Sequence, residues 1–140
     1  QGNEKKAFVG HLGTHFDVMD KDFPLEYTER KGITFDVSTV RDREIDISDI
    51  NPDLLYPDMF AAFYTGFIEE EGYGGKKYFT EHPQHSKTDQ RCADRGVFVV
   101  ENLCNLKELV NLKNYTVNTY PMNYEGMTGL PCRVIVKTDS

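Results

Sequence analysis

Long apolar runs are missing from this chain, basic charge is in short supply, and cysteine and histidine are scarce. No stretch of about 18 apolar residues occurs, so no segment reads as a membrane-spanning helix. The opening QGNEKKAFVG has charges but no apolar core, which excludes a secretory signal in that stretch. Lysine and arginine total 16 against 23 acidic residues, and the net charge of -7 argues against a nucleic-acid-binding surface while leaving small-molecule substrates open. The three cysteines, Cys92, Cys104 and Cys132, form no C-x-x-C pair. They are expected to be reduced, mostly buried small apolar residues of a cytoplasmic protein. Internal repeats and low-complexity linkers are absent too, and 140 residues suit a single domain, 1–140.

What is present alternates between strand and helix signals. AFVGHLGTHFDV reads as a strand running into a turn at Gly13, and ITFDVS (33–38) as a short β-branched and aromatic strand. DISDINPDLL carries Asp and Ser caps and reads as a short helix or 3-10 turn within loop. MFAAFYTGF (59–67) is nearly all apolar and suits a strand buried on both faces. KTDQRCADRG (87–96) reads as a helix, capped by Ser86 or Thr88 and closed by Gly96. VFVVENL (97–103) is a strand, NLKELVNL a helix, and YTVNTYPMNY and CRVIVKT are strands joined by the turn-rich loop EGMTGLP. Such an order predicts an α/β or α+β fold with a mixed sheet.

The chain has four histidines, and two of them fall in GHLGTHFDVMDK (10–21). Imidazole nitrogen and carboxylate oxygen form the ligand set of a divalent metal such as zinc or manganese. His11, His15 and Asp17 lie on one side of a strand, because side chains alternate. On a straight strand the two imidazoles would be about 13 Å apart, too far for one ion. A bend at Gly13-Thr14 would bring them together, and glycine permits such a bend. The competing reading is of two partly exposed histidines beside a turn. Glu101, alone among apolar residues in VFVVENL, is either a second ligand or a strand-end carboxylate reaching solvent or a lysine.

These residues bring a known family into view. HLGTHFD resembles the start of H-x-G-T-H-x-D-x-P-x-H, the signature of the cyclase-like metal hydrolases, the family of the kynurenine formamidases. EIDISDINPDLLYPDMFAAFYTGF, GVFVVENLCNLKEL and TYPMNYEGMTGLPCRVIV resemble later family segments in the same order, so the likeness covers most of the chain. It implies a swivelling β/β/α fold, expected here in a form shortened relative to the family. Family members usually carry a strand region before the motif and a further βα unit where YFTEHPQ here abuts HSKTDQRC, so the chain is expected to be either a trimmed version or one given without those segments.

The resemblance also implies one or two divalent ions, zinc or manganese. His11, His15 and Asp17 would hold one ion, with Asp17 bridging to a second that Glu101 also holds. The second ion's histidine corresponds to Asp89, with His85 the alternative one helical turn away. The implied reaction is hydrolysis of an amide or lactam bond in a small, possibly aromatic substrate, by a metal-activated water. Phe16, Phe23 and Tyr27 are either the holders of that flat substrate or plain core aromatics. A homo-oligomer is expected. Two departures bear on the mechanism: Met19 and Lys21 replace the motif's proline and its last histidine, the family's acid/base. Lys21 could serve only with a depressed pKa, leaving Asp20 or Glu26 as substitutes. The alternative is a metal- or ligand-binding relative that has lost catalysis.

Overall fold

The computed structural model describes residues 2–72 and 86–138. His82 and His85 lie outside the described residues, as do the side chains of Ser86 and Thr88. The chain divides into two compact units. The first comprises Gln1–Thr28, Pro83–Leu103 and Asn118–Ile135, the second Glu29–His82, Cys104–Val117 and Val136–Ser140.

The first unit opens with helix α1 (Gly2–Phe8), which takes in Ala7 and Phe8, the first residues of the stretch expected as strand. Glu4, Lys5, Lys6 and Ala7 are good helix formers, and the helix ends at Gly10, whose φ of 87° suits glycine. Amides of Gly10 and His11 close it by donating to the carbonyls of Ala7 and Lys6. Extended backbone begins only at β1 (His15–Asp17). Helix α3 (Ser86–Ala93) follows expectation and turns off at Gly96, φ 72°. Strand β4 (Val99–Glu101) is shorter than the expected 97–103, because Asn102 takes a left-handed conformation, φ 61°. Strand β6 (Gly129–Pro131) lies inside the stretch read as loop. It is extended because it pairs with β1, a long-range contact that turn residues do not announce.

These strands form an antiparallel sheet in the order β4-β1-β6. Alternation along β1 sorts its side chains. Phe16 points into an apolar core with Val18 and Leu130, against which Phe23, Phe98 and Cys132 pack. His15 and Asp17 point to the other face. Across the pairing, His15 stands opposite Glu101 and Asp17 opposite Val99.

The second unit holds β2 (Glu29–Asp36) and β3 (Phe60–Tyr64), paired in parallel. With β5 (Tyr115–Thr119) and β7 (Val134–Thr138) they form a sheet ordered β3-β2-β5-β7. The expected single mixed sheet is therefore two sheets. In β3 only Ala62 is buried and Phe63 is exposed, so the strand is not covered on both faces. The run MFAAFYTGF also breaks at Gly66, φ 72°, and continues as the short helix α2 (Phe67–Glu71). DISDINPDLL forms two 3-10 turns as expected, Ile47–Asp49 and Pro52–Leu54, capped by Asp46 and Asn51. NLKELVNL makes only a 3-10 turn, Leu106–Leu109, because Asn105 enters it left-handed. Of the cysteines, Cys104 is exposed and the other two are half-buried, against the expectation of mostly buried thiols. Burial pushes the Cys132 thiol up to about 11, so it stays protonated at neutral pH.

Candidate metal centre

The bend needed at Gly13 is present. Gly13 has φ 67°, and the His11 and His15 ring centroids are 5.0 Å apart at 82°. His11 Nδ1 lies 2.8 Å from Asp17 Oδ1, and His15 Nε2 lies 3.5 Å from the same oxygen. His15 and Asp17 are buried, and His11 is partly exposed.

Both imidazoles are oriented by their other nitrogens. His15 Nδ1 lies 2.8 Å from the Gly13 carbonyl, which can only accept, so Nδ1 carries the hydrogen and Nε2 faces Asp17. His11 Nε2 is 2.8 Å from the Thr128 hydroxyl, which leaves Nδ1 toward the carboxylate. Asn102 clamps the bend. Its amide donates to the Gly13 carbonyl at 3.0 Å, and its own carbonyl accepts from Thr14 Oγ1 at 2.8 Å. Such outer contacts fix the orientation of metal ligands.

Donor atoms of His11, His15 and Asp17 lie within 4.8 Å of one another, and so do those of Asp17, Asp89 and Glu101. All five are residues that the motif reading selected. Register brings Glu101 across from His15, and α3 carries the buried Asp89. Asp17 belongs to both groups. Its second oxygen, Oδ2, is buried and has no hydrogen-bond partner. A buried charged acceptor left unsatisfied costs more than about 1–3 kcal/mol, and a cation would offset that cost. The donor set and the orphaned oxygen therefore fit a divalent ion.

Burial alone would lower the His15 pKa. Its hydrogen bonds to Asp17 and the Gly13 carbonyl, with the charges of Asp17 and Glu101, outweigh burial and hold it above its ordinary 6.5. Burial would likewise raise Asp17, but hydrogen bonds and charge from His11 and His15 hold it below its ordinary 3.8. The stability from His15 is full below 6.5 and is lost as pH rises through its folded pKa. That from Asp17 is present above 3.8 and is lost as pH falls. Metal-free protein should thus lose thermal stability over the range above pH 6.5 as His15 gives up its proton. Metal-loaded protein should not, because a metal needs unprotonated imidazole. A metal-free melting midpoint that rises over that range would contradict this pairing.

Lys21 lies 3.0 Å from Asp20 and 3.2 Å from Asp94, at 38% side-chain exposure. Hydrogen bonds to these two carboxylates raise its pKa, so it remains a cation at neutral pH and accepts no proton. Asp20 accepts from Gln90 Nε2 at 2.8 Å, and hydrogen bonds from Gln90 and Lys21 hold its pKa down. Phe16 sits on the core side of β1, its ring 4.6 Å from Phe23, with Phe98 and Tyr27 extending the cluster. It is a core residue and not a wall of the candidate metal centre.

The chain matches no protein-family model and no curated protein. Two residues of the centre escaped the motif reading. Asn102 had a signal, since it follows Glu101 directly and ends a strand. Thr128 had none, being one polar residue of a turn-rich loop.

Gly13 has open space where a Cβ would stand, so substitution there tests the bend alone. Gly13→Val should cost about 1–2 kcal/mol from the left-handed backbone and weaken metal binding with it. Calorimetric unfolding and metal titration of the variant check this, and no change in either would show that the bend is dispensable.

Proposed function

We propose that this chain is a metal-dependent hydrolase of amide or lactam bonds in small, possibly aromatic substrates, of the arylformamidase or cyclase type. The observation that carries the reading is Asp17, shared between two groups of donors and keeping a buried oxygen without a partner. His11, His15 and Asp17 would hold one divalent ion, and Asp17, Asp89 and Glu101 a second. Such ions supply Lewis acidity toward a carbonyl and bring the ionisation of water toward neutral pH. The chain's own residues hold the donors in place: Thr128 and the Gly13 carbonyl fix both ring orientations, and Asn102 fixes the carbonyl. A homo-oligomer in the cytoplasm belongs to the same proposal, as does the swivelling β/β/α fold. No helix among the described residues is long and apolar enough to cross a membrane.

A second reading, a metal-binding relative without catalysis, is favoured by one observation. Lys21 stands where the family's acid/base histidine would be and is tied up by Asp20 and Asp94. Metal content and turnover of an N-formyl aryl amine, measured together, separate the two. Metal with turnover supports the hydrolase, and metal without turnover on an amide panel supports the binding relative. Lys21→Ala should leave metal content unchanged and activity within about threefold, since an exposed cation makes no proton transfer here. Loss of an existing activity with metal retained would make Lys21 catalytic. Gain of activity in Lys21→His would show that the parent lacks its acid/base.

A further inference from the structure

The two groups that share Asp17 are not alike in their donors. One offers two imidazole nitrogens and one carboxylate. The other offers carboxylates alone, from Asp17, Asp89 and Glu101. Imidazole suits zinc and its neighbours, whereas sets made only of oxygen suit hard cations such as magnesium and manganese. We infer that the centre is a mixed pair, with a zinc-type ion between His11, His15 and Asp17 and a hard cation between Asp17, Asp89 and Glu101. This rests on the metal-centre reading above and adds which class of ion each half takes.

Geometry supports the carboxylate half independently of its composition. Asp17 and Asp89 are 4% and 8% exposed, so water does little to separate their charges. Like charges held this close disfavour one another, and cationic charge among them relieves it. The unpartnered Oδ2 belongs to Asp17, the residue the two groups share. The side chains come from β1, α3 and β4, three elements of one unit, so the cluster is built by the fold and not by one acidic run.

Zinc outcompetes manganese at most sites, so the difference is read as a ratio of preferences. Metal-stripped full-length chain is titrated with zinc and manganese in competition. Free manganese is followed by electron paramagnetic resonance and bound zinc by elemental analysis. The first equivalent should prefer zinc strongly, and the second should show a zinc-over-manganese preference at least about tenfold smaller. Asp89→His should raise the second preference by about tenfold or more and leave the first unchanged. Asp89→Asn should weaken the second equivalent about tenfold or more and spare the first, so the claim stands testable if the histidine variant fails to fold. Equal preferences at both equivalents, or no change in Asp89→His, overturn the mixed pair while leaving a metal centre in place. Binding of no ion at all overturns both.

Discussion

Asp17→Ala is expected to empty both donor groups at once. Asp17 is the one side chain common to the His11–His15 set and to the Asp89–Glu101 set. Removing its carboxylate leaves the first with two nitrogens and the second with two carboxylates, short of the three or more protein ligands such sites use. A ligand that binds only the folded state stabilises it by about 4 kcal/mol at a thousandfold excess over its dissociation constant. The variant should forfeit that increment, so added metal should no longer raise the melting temperature, where the parent gains about 10 °C. His11→Ala gives the contrast. It touches only the nitrogen-bearing group and should leave the carboxylate group able to bind. Metal stoichiometry and melting with and without added metal, run on both variants, decide the matter. Full retention of metal by Asp17→Ala would remove Asp17 from the centre.

Gly10→Ala should be strongly destabilising. A Cβ at Gly10 would lie 1.9 Å from the carbonyl oxygen of Gly129, and the backbone there has φ 87°. The obstacle is backbone, so no side chain can swing away. The segments are also tied by the Gly129 amide, which donates to the Val9 carbonyl at 2.9 Å. Relief therefore means moving β6 or the start of the motif, at a cost of about 3 kcal/mol or more. Gly129 faces Asp17 across the β1–β6 pairing, so the displacement reaches the proposed metal ligand Asp17. Metal affinity should fall together with stability. Gly126 is the control, since it has φ 74° with nothing near its missing Cβ. Gly126→Ala should cost about 1 kcal/mol and leave metal binding alone. Equal effects of the two substitutions, measured by denaturant unfolding, would show that the Gly10–Gly129 approach is not constraining.

The grouping of the candidate site's residues was more legible in the sequence than the fold that carries it. His11, His15 and Asp17 are close in sequence and differ chemically from their neighbours, so the pattern could be read locally. Glu101 announced itself as a lone charge in an apolar run. Gly13 was legible because two imidazoles four residues apart cannot converge without a bend. Helix α1 was misread because Ala7, Phe8 and Val9 look extended when taken with the histidines, while the helix-forming Glu4–Lys6 lie before them. Strand β6 was hidden because glycine and proline signal turns, and only pairing with β1 makes Gly129–Pro131 extended. The exposed face of β3 was equally illegible. An apolar run says that burial is favourable, not that a partner layer exists to provide it.

The most direct test of the metal centre is an anomalous-difference map from crystals of the metal-loaded protein. The account predicts a peak between His11 Nδ1, His15 Nε2 and the Asp17 carboxylate, with a second on the Asp89–Glu101 side of Asp17. A map with metal elsewhere and no peak at Asp17 would contradict it.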